Sequence, residues 1–214
     1  MAKITDRSTL LEVAATVSDA LRDAGILATL SGGAVVSIYT DNEYQSKDLD
    51  FVTAAMNDEL LPALAPLGFV HTGISRMSQY SHPLVEWFIE FPPAPISFGS
   101  LYVDHKDCTT IELNVGRLRL ITPTQSVMDR LAAAIHWSDA QSREQAVLVA
   151  THQSIDWTLL GDWFVNEGES TEDFERFRAL VMSKKKSRHL ETRCLVRQTT
   201  AAILSYSIRA ANMS

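Results

Sequence analysis

The stretch Leu30–Val52, LSGGAVVSIYTDNEYQSKDLDFV, decides how the rest of the chain is read. An apolar run, Ile26 to Leu30, breaks at Ser31-Gly32-Gly33 and continues into the helix-compatible AVVSIY. A polar connection, Thr40 to Lys47, then leads into Asp48-Leu49-Asp50-Phe51-Val52. At a strand's period of two, Asp48 and Asp50 leave one face while Leu49 and Phe51 take the other. Adjacent carboxylates repel unless positive charge lies between them, and a divalent cation is the usual answer. Glycines directly after a strand let the backbone approach a ligand, and the amides opening the next helix form an anion site. Taken alone, the first piece reads as a tight turn and the second as a solvated strand edge. Their combination points to a phosphate cradle beside a metal site.

Upstream, Ser8 to Ala24 places Leu10, Leu11, Val13, Ala14, Val17 and Leu21 at helical spacing, with Gly25 as the stop. Downstream, Asn57 to Leu67 reads as a helix with Pro62 in its first turns, and Gly68 to Thr72 as a strand. Ser75 to Pro83 reads as irregular, with Arg76, Gln79 and Tyr80 available to a ligand. Val85 to Phe91, VEWFIEF, is a strand rich in aromatic and branched residues, stopped by Pro92, Pro93 and Pro95. Glu86 and Glu90 share one of its faces, so either can supply a third carboxylate. Asp104-His105-Lys106-Asp107 reads as solvated surface. Thr109 to Ile121 gives two short strands about Asn114 to Gly116, or one bulged strand, with Glu112 as a rival acid.

At Thr122 the texture changes. Thr122-Pro123-Thr124-Gln125 is a helix start with an N-cap threonine, proline at the first position and glutamine three residues after the cap. Beyond it the pattern is helical: Thr124 to Trp137, Ser142 to Thr151, Asp156 to Asn166, Thr171 to Ser183 and Arg188 to Asn212. The expected organisation is α+β, with a mixed sheet and its helices over residues 1–121 and a helical bundle over 122–214. The dense positive run Lys184-Lys185-Lys186-Ser187-Arg188-His189 reads either as a solvated face or as a dock for a phosphate-rich partner such as RNA.

The chain has 214 residues, 46% of them apolar, which is enough for a substantial core. A net charge of -7 argues against a general nucleic-acid coating protein. Two cysteines, Cys108 and Cys194, make neither a disulfide framework nor a zinc site. The N-terminal residues alternate charge with apolar side chains, unlike a signal peptide, and no stretch approaches the roughly 20 apolar residues of a membrane span. The expectation is a cytoplasmic protein without a membrane partner.

A phosphate cradle beside two strand carboxylates and a third acid suits metal-assisted phosphoryl or nucleotidyl transfer, in which Mg²⁺ offsets triphosphate charge and activates the attacking hydroxyl. The pattern Gly32-Gly33, fourteen residues, Asp48-Leu49-Asp50-Phe51 and a later apolar-acid-apolar triplet resembles the nucleotidyltransferase superfamily with the polymerase-β-like fold. Gly-Gly-Ala followed by Lys-Asp-Leu-Asp is similar to bacterial nucleotidyltransferase-like proteins related to the toxins of abortive-infection toxin-antitoxin pairs. Ile89-Glu90-Phe91-Pro92-Pro93 with Gly99, and the segment from Ser138 to Ala146, resemble the same group. The likeness spans residues 8–150. It implies that Gly32 and Gly33 hold the triphosphate of ATP or another nucleotide, with Ser31 as a hydroxyl donor and Lys47 nearby. It further implies that Asp48 and Asp50 bind Mg²⁺ and that Glu90, rather than an aspartate, is the third ligand and candidate base, with Glu86 as rival. Arg130 stands where related sequences often carry lysine, and the resemblance implies that it contacts the nucleotide's phosphates. The implied acceptor is a hydroxyl on RNA, on a protein or on a small molecule such as an aminoglycoside, and the implied partner is an antitoxin. The alternative is a catalytically weak or inactive nucleotide-binding or protein-interaction module with the same fold.

Overall fold

The computed structural model describes residues 3–72 and 79–190. Helix α1 (Leu10–Asp23) begins at a reciprocal cap between Thr9 and Glu12 and buries Leu10, Val13, Ala14, Val17 and Leu21. It stops where Gly25 takes a φ of 77°, letting the amide of Ile26 reach back to the carbonyl of Leu21. Strand β1 (Ala28–Ser31) runs straight into α2 (Gly32–Tyr39), and β2 (Asp48–Thr53) follows the polar connection. Helix α3 (Asn57–Leu64) tightens into a 3-10 turn over Ala65–Leu67, so the helix expected to Leu67 changes pitch at its end.

Five short strands come next: β3 (Val70–His71), β4 (Gln79–Ser81), β5 (Phe88–Glu90), β6 (Ile96–Phe98) and β7 (Leu101–Val103). The hairpin of β8 (Thr109–Leu113) and β9 (Gly116–Leu120) resolves the choice between two strands and one bulged strand in favour of two. Seven strands form one mixed sheet in the order β3-β4-β5-β2-β1-β9-β8, and β6 and β7 pair separately. Strand β1 is antiparallel to β2 and parallel to β9, and β2 is parallel to β5.

Helix α4 (Pro123–Trp137) begins as the cap pattern requires, with Thr122 and Gln125 satisfying each other's backbone amides. Helices α5 (Ala140–His152) and α6 (Trp157–Asn166) follow, each capped by an aspartate, Asp139 and Asp156. A last helix, α7, covers 171–190. Helix α2 lies against β2, α4 and α5, while α1 lies against β9, β1 and α3. Leu30, Leu49, Phe51, Ile89, Leu118, Leu120, Val127 and Met128 are among the side chains buried between these layers. No helix among the described residues is long and apolar enough to cross a membrane.

Four expectations need correction. Residues 79–81 are a strand, not an irregular segment: Tyr80 is fully buried, its hydroxyl donating to Asn57 and its ring edge-on to Phe91, and Gln79 pairs with Glu90, so neither is free for a ligand. Arg76 lies outside the described residues. Strand β5 is shorter than VEWFIEF because β2, its parallel neighbour, begins at Asp48 opposite Phe88 and leaves residues 85–87 without a partner. The loop around His105 is more than solvated surface, since His105 Nδ1 sits 2.6 Å from the Thr29 hydroxyl and fastens it to β1. Finally, the basic run does not separate two helices; α7 passes through it unbroken, and most of the expected helix Arg188 to Asn212 lies outside the described residues.

Candidate active site

The site is built at the end of β1. At Gly32 the backbone turns with φ 68°, and a Cβ there would fall 2.2 Å from Asp50 Oδ2. Only glycine fits this position, for reasons of both backbone conformation and space. A Cβ on Gly33 would lie 2.8 Å from the Ser46 hydroxyl and 3.3 Å from that of Tyr44. The chain is therefore drawn tight against the carboxylate strand, and the opening amides of α2 face that region with no side-chain cap from Ser31. The Ser31 hydroxyl instead donates to the Asp50 carbonyl at 3.4 Å.

Sheet register gathers the acids. Asp50 is opposite Glu90 and Asp48 opposite Phe88, so the odd-even pleat places Asp48, Asp50 and Glu90 on one face. Oxygen atoms of all three lie within 4.8 Å of one another. Two are steadied by neutral donors: Ser46 Oγ donates to Asp48 at 2.6 Å, and Gln79 Nε2 donates to Glu90 at 2.9 Å. Burial, then the charges of Asp48, Glu90 and Asp129, push the Asp50 carboxyl up to about 7, with Arg130 opposing. The counter-charge of Arg130 is outweighed by burial and by the acidic neighbours.

Glu86 is exposed in a bend before β5 and does not join the group. Glu112 is exposed on β8, opposite Arg117 and three strands away from β2, about 14 Å at normal sheet spacing. Lys47 is exposed just before β2 and forms no ion pair among the described residues.

Arg130, on α4, faces the acids. Its Nε and one terminal nitrogen donate to Asp129 at 2.9 and 2.6 Å, and its other terminal nitrogen reaches Gln145 at 3.5 Å. Burial works against its charge, but Asp129, Asp50 and Tyr44 outweigh that and hold the guanidinium above its ordinary range. Asp129 and Gln145 were not singled out by sequence reasoning. The one available signal was helical: Asp129 shares its turn with Arg130.

One cleft is lined by this arginine, and a second is lined by its partner Gln145. The first, of about 720 Å³, lies between the β6–β7 hairpin, α4 and the end of α6, lined by Ser97, Ser100, Asp129, Arg130 and Trp137. A larger one, about 1190 Å³, lies between the α2–β2 connection, α5 and α7, lined by Tyr44, Arg143, Gln145, Lys184 and Arg188. An oxygen-only acid cluster, a tight diglycine turn and a buried guanidinium are a donor set for a hard cation and for phosphate.

No family model and no curated protein matches this sequence. Among solved structures the chain is similar to an antigenic nucleotidyltransferase-like protein from Paracoccidioides brasiliensis, at 14% identity and TM-score 0.55, covering 81% of this chain and 92% of that one. It also aligns with ANT(2″)-Ia in complex with adenylyl-2″-tobramycin, at 14% identity and TM-score 0.46 over 79% of this chain and 94% of that one. The solution structure of ANT(2″)-Ia aligns at 13% identity and TM-score 0.49 over 88% and 99%. The first likeness shows that the chain has a nucleotidyltransferase fold, and the two weaker ones add nothing to that.

Proposed function

We propose that this chain transfers a nucleoside monophosphate from a nucleoside triphosphate to an acceptor hydroxyl, with Mg²⁺ as its cation. In this reading the domain of residues 1–121 supplies the cation ligands and the phosphate turn, and the helical half that begins at residue 122 adds Arg130. The supporting observation is the convergence of Asp48, Asp50 and Glu90 within 4.8 Å beside a turn that admits only glycine.

The residues fit the cation. Three carboxylates with no histidine or thiol are hard-oxygen ligands of the kind Mg²⁺ takes. Asp50, held near 7 by burial and its acidic neighbours, is the group whose charge such an ion would balance. When bound, Mg²⁺ would offset the triphosphate's charge and lower the pKa of the acceptor hydroxyl.

The chain's own residues supply the rest. Amides of Gly32 and Gly33 receive phosphate oxygens at the start of α2, and the Ser31 hydroxyl joins them by turning from the Asp50 carbonyl. Arg130 presents planar donors to the same phosphates, and Lys47 adds charge at the rim. The acceptor oxygen attacks the α-phosphorus in line, forming the new P–O bond as the bond to the bridging oxygen breaks and pyrophosphate departs. The acceptor's proton passes to Glu90, which Gln79 holds in place, and from there to solvent.

The test is transfer of α-phosphate label from each nucleoside triphosphate, with Mg²⁺, to RNA, protein and aminoglycoside acceptors. Asp48→Ala is expected to lower transfer at least about a hundredfold, since even an outer-shell ligand partner is worth 10- to 100-fold. Undiminished transfer by that variant excludes the metal site. Tight nucleotide binding with no transfer to any acceptor leaves a binding module.

A further inference from the structure

The larger cleft has a character that nucleotide transfer by itself does not explain. One wall is α7 from Leu180 to Arg188, about 12 Å of helix at normal rise. Lys184 and Arg188 project from that wall one turn apart, and Arg143 faces them from α5. Among the described residues neither Lys184 nor Arg143 makes an ion pair or a side-chain hydrogen bond. Arg188 is held by Glu43 at 3.0 Å, and Glu43 also meets His152 at 3.0 Å, which ties the α2–β2 connection to both helices. Glu144 is the other carboxylate on the lining. Lys185, anchored to the Gln153 carbonyl at 2.8 Å, and the exposed Lys186 continue the positive charge along α7. Residues 184–189 are the densest positive run in a sequence of net charge -7.

The cleft ends at the site. Tyr44 lines it, and the Tyr44 hydroxyl lies 3.3 Å from where a Cβ on Gly33 would sit, second only to the Ser46 hydroxyl; Gln145 lines it and contacts Arg130. A triphosphate at the diglycine turn would occupy only this inner end. What remains is a channel with cations along its walls, an aromatic ring at its inner end and the half-exposed Leu180 at its side. Cations that track a backbone, combined with ring faces for bases, are the way single strands are held without sequence reading.

We infer that the cleft between the α2–β2 connection, α5 and α7 seats a single-stranded nucleic acid, with its phosphates on Arg143, Lys184 and Arg188 and a base against Tyr44, so that its terminus reaches the acid cluster. As an acceptor assignment this rests on the transferase reading above; as a binding site it does not.

The experiment measures fluorescence anisotropy of the full chain with a labelled single-stranded RNA oligonucleotide across 50 to 200 mM salt. Log affinity is expected to fall with log salt, and Lys184→Ala and Arg143→Ala should each flatten the slope by about 0.7. The double variant should bind on the order of tenfold more weakly at 0.1 M salt. Lys106→Ala, which removes the same charge from a distant, exposed loop, should leave slope and affinity unchanged. A DNA oligonucleotide of the same sequence tells the two strand types apart. Slopes unchanged in Lys184→Ala and Arg143→Ala, or an equal effect from Lys106→Ala, would overturn the proposal. So would loss of fluorescent nucleoside triphosphate binding in the double variant with strand binding intact, which would make the cleft a donor pocket. Strand binding that behaves as expected with no transfer to any acceptor sinks the transferase reading and leaves the cleft; transfer to a non-nucleic acceptor with salt slopes insensitive to the variants does the reverse.

Discussion

The acid cluster on β2 and β5 and the cationic wall on α7 treat like charge in opposite ways. On the strands, three carboxylates are forced within 4.8 Å by register, partly buried, and the charge of the central one is suppressed. On the helix, lysines and arginines stand a turn apart at the surface, where water screens them and Glu43 balances one. Crowding charge is an energetic cost that the fold must carry, and it is tolerated where a ligand is to supply the compensation. Spacing charge at the surface costs almost nothing, so Lys184 and Lys186 can stand in solvent while Glu43 holds Arg188 and the Gln153 carbonyl holds Lys185.

The first way to break this contrast is to loosen the turn that presses on the acids. Gly32→Val combines a left-handed φ with a methyl-bearing carbon inside contact distance of Asp50, and should cost on the order of 5 kcal/mol in denaturant unfolding. A variant with the parent midpoint would mean that the turn and β2 are not tightly coupled. The second sharpens it by removing the crowded charge. Because the Asp50 carboxyl is raised to about 7 from an ordinary value near 3.8, its contribution is full below about pH 4 and lost as pH rises through 7. The metal-free protein should therefore lose up to about 4 kcal/mol over that window, and Asp50→Asn should remove most of the loss. Thermal unfolding with chelator at pH 4 and pH 8 reads both, and a flat profile in the parent would count against crowding. Added Mg²⁺ should restore the parent at pH 8 and leave Asp50→Asn less affected. The smallest effect belongs to the other region: Lys184→Ala should change stability by less than about 0.5 kcal/mol. A larger loss would show that the cationic wall is structural.

Much of this is legible in the sequence alone. Thr122-Pro123-Thr124-Gln125, the Gly25 stop and the alternation in Asp48-Leu49-Asp50-Phe51 are local statements, and each produced the expected element because it needs only its own neighbours to satisfy it. Glu86 and Glu90 were equivalent on strand periodicity. They separate only because β2 starts opposite Phe88, so that residue 86 falls outside the sheet while Glu90 lands beside Asp50. Strand β4 has no local signature, because its few residues are mostly polar and gain strand character from β3 and β5 rather than from their own pattern. The polar letters of the basic run suggested a break, yet each residue in it is compatible with helix and α7 continues through.

The sequence by itself determined the strand–diglycine–helix turn, the two aspartates sharing a face and the capped start of α4, because hydrogen bonds and side-chain alternation within a few residues specify them. Only the tertiary structure decided which glutamate joins the aspartates, that Asp129 and Arg130 come to face them, and that a cationic cleft opens beside Tyr44. Those outcomes depend on register between strands distant in the chain and on how α4, α5 and α7 lie against the sheet. No local pattern encodes such relations, since they come from burying the shared core between layers.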